Sequence, residues 1–282
     1  MKPAPFDYVR IDMPEEACAL LREHGDDARV LAGGQSLMPL LNMRLANPRL
    51  LLDISRCPAL DYVRVDSRYL AVGAAATQGA LERRPGLRAE APLLAQAMPW
   101  ISHFQVRNRG TVCGSIAHAD PSAELPLCLL ALDGEVLLRS HDRERSVKAE
   151  NFFRGMLATD RRADELMVEA RFPVAGADSG YAFDEFCLRH GDFAVAAAAA
   201  VVRPGRIRLA VGGVADRPAV IEWPLLEQAQ IEAPLNDFAW SLGARNDSQA
   251  SAAVRRHLVR HLGRNAVARA RANLEESAAA SA

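Results

Sequence analysis

The hydrophobic pattern of the N-terminal segment alternates between the periods of strands and of a helix. Phe6 to Ile11, Ala28 to Leu31 and Leu50 to Ile54 are apolar runs of strand length. Between the first two runs, apolar positions recur at helical spacing up to Gly25, a residue well placed to end a helix. The pattern predicts a compact βαβ-like unit that ends near residue 55.

Beyond that unit the pattern mixes hairpins with helices. Asp66-Ser67-Arg68 separates two strand-like runs as a hairpin turn does, and residues 111–126 indicate a loop leading into a helix. The segment Pro173 to Gly180, rich in Pro, Gly and small residues, is the predicted linker. We therefore predict a first region over residues 1–175, made of subdomains of about 1–55 and 56–175.

Three strand-like runs and a terminal helix follow the linker. The runs are Tyr181 to Leu188, Phe193 to Val202 and Ile207 to Val214, and the alanines of the second run suit a helix equally well on propensity. Near the end, apolar residues recur every fourth position in a helical pattern. The predicted fold is α+β, with residues 176–282 forming a three-stranded antiparallel sheet with helices.

Composition and charge narrow the classes of protein to which the chain can belong. Half of the 282 residues are hydrophobic, and the formal net charge of -1 argues against nucleic acid as the main partner. The N-terminus lacks the apolar core of a secretory signal, and no run approaches the roughly 18 apolar residues that span a bilayer. We expect a cytoplasmic protein without a transmembrane segment.

Cysteine usage excludes several kinds of site. The cysteines are scattered, with no CxxC pair, at Cys18, Cys57, Cys113, Cys128 and Cys187. Disulfide frameworks and cysteine-bound zinc or iron–sulfur sites need paired or clustered thiols. We therefore predict reduced thiols and no metal site. No Ser/His/Asp or Cys/His arrangement is recognisable, so no catalytic residue is predicted.

Two glycine-containing segments carry most of the chemical information. The first, Ala32-Gly33-Gly34-Gln35-Ser36-Leu37, follows a short apolar strand, and its paired glycines let a ligand approach bare backbone N–H groups. The second, from Thr111 to Pro121, repeats the order hydroxyl, glycine, hydroxyl. Each donor to a phosphate oxygen contributes roughly 1.5–3 kcal/mol, so two facing donor segments would suit a pyrophosphate.

Either segment alone also fits an ordinary turn. The chain contains neither GxGxxG nor GxxxxGK followed by Ser or Thr, which removes the main support for a Rossmann or P-loop site. The residues by themselves therefore predict a two-loop nucleotide or dinucleotide binder.

Four sequence blocks resemble a known family when taken together. They are AGGQSLMPLLNMRLANP at 32–48, LLDISRCPAL at 51–60, VRNRGTVCGSIAHADPSAELP at 106–126 and RHGDFAVAAAA at 189–199. In this order they resemble the FAD-binding medium subunit of the molybdenum hydroxylases. That family includes carbon monoxide dehydrogenase, nicotine and quinoline dehydrogenases and the flavin domain of xanthine dehydrogenase. GGVADRP at 212–218 is similar to a late segment of the same family.

The resemblance implies a PCMH-type FAD-binding region and a set of cofactor-binding residues. Two segments would hold the pyrophosphate: Val30, Leu31, Ala32, Gly33, Gly34, Gln35, Ser36 and Leu37, then Thr111, Gly114, Ser115 and Ala117. Three residues match positions on the ribityl or adenosine side: His118, Asp120 and Glu124. Met167 matches an aliphatic residue near the adenine or ring edge, and Phe193 an aromatic residue against the isoalloxazine ring.

Several of these side chains also have simpler interpretations. His118 fits a hydrogen-bonded loop histidine, and Asp120 before Pro121 fits the start of a turn. Glu124 fits a carboxylate in the first turn of a helix, and Phe193 fits the first core residue of a strand. These alternatives stay open at the level of sequence.

The resemblance also implies a division of labour among subunits. FAD would be bound without a covalent link and would receive electrons from two 2Fe–2S clusters on a small subunit. Molybdopterin on a large subunit would oxidise the substrate, and the flavin would pass electrons to an external acceptor. The implied assembly is a dimer of heterotrimers. The alternatives are a free-standing FAD-dependent oxidoreductase of the same fold and a non-redox nucleotide-binding module.

Two positions depart from the family pattern. Cys113 stands where the family usually has a second glycine, and a requirement for positive φ there would cost about 1–2 kcal/mol. Asp184 lies near the position at which xanthine dehydrogenases carry a lysine close to the flavin, which leaves that cationic contact open.

Overall fold

The computed structural model of the chain describes residues 2–281, apart from the side chains of residues 277, 278, 280 and 281. The outermost residues of the predicted regions 1–175 and 176–282 thus lie outside the described residues. Within the described range, helices combine with one parallel and several antiparallel sheets, so the predicted α+β class is confirmed.

The N-terminal unit is a parallel sheet of strand order β1-β3-β2 with helices in its connections. Its elements are β1 (Asp7–Arg10), α1 (Pro14–His24), β2 (Ala28–Leu31), α2 (Leu37–Asn42) and β3 (Leu50–Asp53). Proline at the start of α1 and two glutamates in its first turn suit a helix N-terminus. Because the strands are parallel, their carboxyl ends share one edge of the sheet, and the first glycine segment leaves β2 at that edge.

The next part of the chain builds an antiparallel sheet of order β4-β5-β10-β6-β7. Its central strand pairs with β5 and β6, and α8 is buried along its whole length, as expected of a helix that is hydrophobic all round. The elements are β4 (Val63–Val65), β5 (Tyr69–Gly73), α3 (Gln78–Glu82), α4 (Leu87–Glu90), α5 (Pro92–Ala97), α6 (Phe104–Arg107), α7 (Val112–His118), α8 (Glu124–Ala131), β6 (Glu135–Arg139), β7 (Glu144–Lys148), α9 (Ala149–Phe152), β8 (Phe153–Gly155), β9 (Ala158–Thr159) and β10 (Leu166–Pro173).

The last third of the described chain is an antiparallel sheet of order β11-β12-β13-β14 covered by helices. The elements are β11 (Gly180–Phe186), β12 (Ala196–Arg203), β13 (Arg206–Gly212), β14 (Ala219–Pro224), α10 (Glu232–Ser241) and α11 (Ala252–Ser281). The sheet thus has four strands in the described residues, where the sequence predicted three. The added strand, β14, is an edge strand whose residues are half-buried or exposed, so its apolar signal is weak.

The alanine run forms strand β12 rather than a helix because both of its faces are buried. Ala197, Ala199 and Val201 belong to the core that continues into the helices of the preceding region, such as α5 and α8. The alternate residues Ala196 and Ala198 belong to a second core beneath α10 and α11. Small side chains on both faces therefore let helices approach the sheet from each side.

A helix that crosses a bilayer needs about 20 mostly apolar residues. None of the helices within residues 2–281 is long and apolar enough to cross a membrane.

Candidate functional site

The first glycine segment packs directly against the backbone that precedes the second. A Cβ added to Gly33 would lie 2.2 Å from the carbonyl oxygen of Arg109 and 2.6 Å from the Cα of Gly110. Backbone atoms cannot move aside as a flexible side chain can, so only glycine permits this approach. The structure thus brings the two predicted segments together, as the two-loop interpretation requires.

The rest of the first segment is a tight turn into α2. Gly34 has a φ of 73°, which favours glycine, and its carbonyl accepts the Met38 N–H at 3.0 Å. The Gln35 amide donates to the Gly33 carbonyl at 2.9 Å, so that side chain braces the turn. Ser36 precedes α2 without a side-chain capping bond. Its hydroxyl therefore remains available to an anionic ligand, whereas the Met38 N–H is already bonded and Pro39 has no N–H group.

The second segment is the N-terminus of a helix, where the sequence indicated a loop. Thr111 caps α7, since its hydroxyl oxygen accepts the Gly114 N–H at 3.0 Å. A Cβ on Gly114 would lie 2.7 Å from that same oxygen, so glycine here protects the cap. An isolated bridge between Thr77 and Thr111 ties the segment to the start of α3.

Cys113 causes no backbone strain. It is a helical residue in α7, and it is not among the residues with positive φ in the described chain. Its buried thiol donates to the Val72 carbonyl of β5 at 3.3 Å, and burial raises the pKa of the thiol well above its usual range. The cost of about 1–2 kcal/mol for a positive φ at this position therefore does not arise, although the family usually has a glycine there.

Two adjoining cavities of about 480 and 510 Å³ open over the joined segments. They share Ala32, Gly33, Asp53, Ser55 and Arg109, so they form one continuous groove. Thr111 lines one half, and Gly34 and Gln35 line the other. This groove runs along the carboxyl edge of the parallel sheet, where open α/β sheets commonly bind ligands.

The groove contains charged residues that the sequence had not singled out. Arg10, Arg56 and Arg109 are among its lining residues, and guanidinium groups are donors suited to phosphate oxygens. Tyr8 donates its hydroxyl proton to Asp53 at 2.5 Å. Burial opposes ionisation of Asp53, but this bond and the Ser55 N–H together lower the pKa of its carboxyl.

Part of this set of charged groove residues could have been predicted from the sequence. Arg10 and Asp53 are the last residues of β1 and β3, and Ser55 and Arg56 follow two and three positions after Asp53. The predicted parallel unit would have placed all of them beside the first glycine segment.

Comparison with known proteins identifies the family. Residues 4–175 match the family described as "FAD binding domain in molybdopterin dehydrogenase". The nicotine 6-hydroxylase medium subunit of Paenarthrobacter nicotinovorans is 35% identical over 96% of this chain and 99% of its own length. In the same organism, 6-hydroxypseudooxynicotine dehydrogenase complex subunit alpha is 45% identical over 72% of this chain and 68% of its own length.

The solved structures agree. A chain of carbon monoxide dehydrogenase from Hydrogenophaga pseudoflava superposes with a TM-score of 0.91 at 32% identity, over 97% of this chain and 99% of that chain. The chain belongs to this family. It is an FAD-binding oxidoreductase subunit of the molybdopterin dehydrogenases, and the resemblance seen in the sequence blocks is confirmed.

The remaining family-implied residues of the second segment lie on one open face of α7. Gly114, Ser115, Ala117 and His118 are partly exposed, whereas the residues between them are buried. Burial lowers the pKa of His118, although the nearby Asp120 carboxylate opposes the shift. The net shift favours the neutral form of the imidazole.

Most of the other predicted residues lie outside the lining of the groove. Val30 and Leu31 end β2, and Leu31 reaches the groove wall, while Leu37 begins α2. Asp120 accepts the Ser122 N–H at 2.8 Å, which gives it the turn role that was one of its two interpretations. Met167 is buried in β10 opposite Leu138, a core position.

Phe193 and Asp184 belong to the C-terminal part of the chain. Phe193 precedes β12 and is 61% exposed, so it is not a core residue of that strand, and the simpler interpretation is wrong. Its ring is available for contact with a ligand or a partner. Asp184 lies in β11 with its carboxylate 4.0 Å from Arg269 of α11.

Proposed function

We propose that this chain holds FAD without a covalent link and serves as an electron-transfer subunit. Electrons would arrive from 2Fe–2S clusters on a small subunit and leave to an external acceptor. The observation that carries the proposal is the contact of Gly33 with Arg109 and Gly110. It joins two donor segments, far apart in sequence, into one groove of a size suited to a dinucleotide.

The chemistry of the groove fits the pyrophosphate of FAD. A pyrophosphate carries two negative charges, and the groove offers arginine side chains at Arg10, Arg56 and Arg109. The Ser36 hydroxyl, which makes no capping bond at the start of α2, adds a further donor. We infer that the segment 32–37 and Thr111 hold the pyrophosphate. The open face of α7, with Ser115, Ala117 and His118, and the exposed Phe193 would follow the rest of the cofactor.

Bound FAD would supply the redox chemistry, and the residues of this chain would position it. The described residues contain no group of His, Cys, Asp and Glu suited to a metal ion. Four of the five thiols are buried at separate places. We therefore assign the iron–sulfur clusters and the molybdopterin to partner chains, which would also contain the substrate pocket.

The names of the relatives support this assignment of partners. They include medium chains and complex subunits of enzymes named for nicotine, caffeine and carbon monoxide. One similar flavin subunit can thus occur with very different substrates, as expected if the substrate binds elsewhere. We propose a large molybdopterin subunit and a small iron–sulfur subunit as partners, assembled as a dimer of heterotrimers.

Two measurements on the purified chain test the proposal. Acid precipitation should release intact FAD into the supernatant, and FMN should compete poorly because it lacks the pyrophosphate. Anaerobic addition of the complex's substrate should leave the flavin of the isolated chain oxidised and bleach it only when the iron–sulfur subunit is present. Flavin reduction by substrate in the isolated chain would instead show a free-standing oxidoreductase. A colourless chain that binds nucleotide would show a non-redox module.

A further inference from the structure

The segment at 212–218, which resembles the family in sequence, forms a turn between two parts of the proposed cofactor site. Gly213 has a φ of 77°, and its N–H donates to the Pro121 carbonyl at 2.7 Å. A Cβ at Gly213 would lie 2.8 Å from the Ala194 carbonyl oxygen, so only glycine fits there. Pro121 ends the second donor segment, and Ala194 directly follows Phe193. The turn therefore ties that segment to the backbone beside Phe193.

A fully buried arginine holds this turn in place. Arg255 of α11 is 0% exposed, and its guanidinium donates to the Val195 carbonyl at 2.6 Å and to the Gly213 carbonyl at 2.5 Å. The Val195 N–H donates to the Phe186 carbonyl at 2.9 Å. Both backbone groups of Val195 are thus bonded two residues after Phe193, immediately before β12 begins.

The guanidinium of Arg255 connects to the second donor segment by another route. Its Nη2 donates to the Asp247 carboxylate at 2.5 Å, and the Nε of Arg245 lies 3.4 Å from that carboxylate. Arg245 in turn donates to the Ser122 hydroxyl at 3.4 Å. Ser122 lies in the turn between α7 and α8. The network therefore reaches the end of α7 as well as the backbone beside Phe193.

The charges of this network persist over a wide range of pH. The hydrogen bond from Arg255 lowers the pKa of the Asp247 carboxyl to about 2, opposed by burial and assisted by backbone N–H groups. A buried ion pair often stabilises a fold no more than apolar side chains of similar volume would. A guanidinium, however, offers a rigid fork of donors that fixes several acceptors at once. The arrangement therefore suits the placement of backbone segments better than the supply of stability.

We propose that Arg255 is a positioning residue, which fixes the Phe193 ring relative to the end of α7 so that the ring can lie against bound FAD. The inference rests on the proposed function, in which the cofactor follows the open face of α7 toward Phe193. Arg255 acts through the Val195 and Gly213 carbonyls and not by contact with the cofactor. Phe193 is 61% exposed, so the backbone that follows it has to fix the position of its ring.

A double-mutant cycle tests whether Arg255 acts through Phe193. The affinity for FAD is measured for the unaltered chain, Arg255→Lys, Phe193→Ala and the double variant. Lysine keeps the charge but cannot hold the three acceptors at once, so Arg255→Lys should weaken FAD binding about threefold to tenfold. Phe193→Ala should weaken it about tenfold. The double variant should bind FAD as Phe193→Ala does, within about twofold.

The visible absorption band of the bound flavin is a readout that lower stability alone does not move. Both single variants should shift this band, and Arg255→Lys should add no further shift once Phe193 is replaced.

Arg208→Lys is the matched control for loss of a buried guanidinium. Arg208 of β13 is 8% exposed and likewise donates to a backbone carbonyl, that of Leu130, at 3.0 Å. Its partners lie in α8, α9 and β14 and not in the backbone that follows Phe193. Arg208→Lys should therefore lower Tm and leave both the FAD affinity and the flavin band unchanged.

The outcomes separate this inference from the proposed function. An additive cycle, in which Arg255→Lys weakens FAD binding equally with and without the Phe193 ring, would overturn the inference and leave the proposed function intact. So would an Arg255→Lys protein that binds FAD as the unaltered chain does. If Arg255→Lys does not fold, Asp247→Asn takes its place in the cycle, because it removes the charge that orients the guanidinium. Failure of the unaltered chain to bind FAD would overturn the proposed function instead.

Discussion

The two donor segments use glycine for different purposes. In the first, Gly33 allows one backbone to touch another, and Gly34 supplies a positive φ in an open turn. In the second, Gly114 leaves room for the Thr111 hydroxyl that caps α7. The first segment is thus a joint between distant parts of the chain, and the second is a local helix start. The two glycine segments look similar in sequence, but more of the site depends on the first segment than on the second.

The joint should be the most sensitive point in the site. Gly33→Ala would place a Cβ within 2.2 Å of the Arg109 carbonyl oxygen and push the segments apart. We expect a loss of roughly 3 kcal/mol in the free energy of unfolding and FAD binding weaker by about a hundredfold or more. Urea denaturation and a flavin fluorescence titration measure the two effects.

A glycine in open space provides the control for this substitution. An alanine Cβ at Gly243 would meet nothing within 4 Å, so Gly243→Ala should keep both stability and FAD affinity. A Gly33→Ala protein isolated with a full complement of FAD would show that the contact between the segments does not determine the site.

Positive φ at Gly34 should matter less. An alanine there adopts a left-handed backbone at a cost of about 1–2 kcal/mol, and its Cβ meets Leu31 and Met38 side chains at 3.3 Å. We expect FAD affinity to fall about tenfold as the turn relaxes. Gly205→Ala is the matched control, because Gly205 has a φ of 78° in a turn with open space around it.

That pair of variants separates backbone strain from site geometry. Both should lower Tm to a similar degree, whereas Gly34→Ala alone should weaken FAD binding. Equal FAD affinity in the two variants would mean that the turn at Gly34 serves only the fold.

Periodicity and turn residues were enough to predict the elements that are locally determined. The parallel N-terminal unit, the hairpin around Asp66 and the terminal helix all follow from such patterns. Strand β12 was predicted from the strand-like run and is confirmed, although its alanines suit a helix equally well on propensity, because α11 and the FAD-region core bury both of its faces. Strand β14 was missed because an edge strand shows no strong apolar alternation.

The site likewise has features that the sequence predicts and features that depend on tertiary contacts. The two glycine segments were recognisable in sequence, but Arg10 and Arg56 reach the groove only because the sheet aligns the ends of its strands. The contact between Gly33 and Arg109 is likewise a tertiary contact, which no local sequence pattern predicts. Whether the family-implied residues contact FAD stays a prediction.

The cap of the second segment should have a smaller effect than either glycine of the first. Thr111→Val removes the oxygen that accepts the Gly114 N–H and should cost about 1 kcal/mol. FAD affinity should fall about threefold to tenfold, since α7 would fray at the end that lines the groove. Thr111→Ser keeps the oxygen and should restore both quantities; a serine variant as weak as the valine variant would contradict the capping role.

Cys113 should be the least sensitive position of the second segment, although it occupies the family's usual glycine site. Its thiol points to the Val72 carbonyl of β5, into the core and away from the open face of α7. Cys113→Ala should therefore cost about 1 kcal/mol through a small cavity and a lost weak hydrogen bond, with unchanged FAD affinity. A titration with FAD and a denaturation curve on the same preparation measure both, and Cys128→Ala, another buried thiol of the same core, is the control. If FAD affinity fell in Cys113→Ala but not in Cys128→Ala, the packing of the core beneath the start of α7 would also affect FAD binding, in addition to the contact at Gly33.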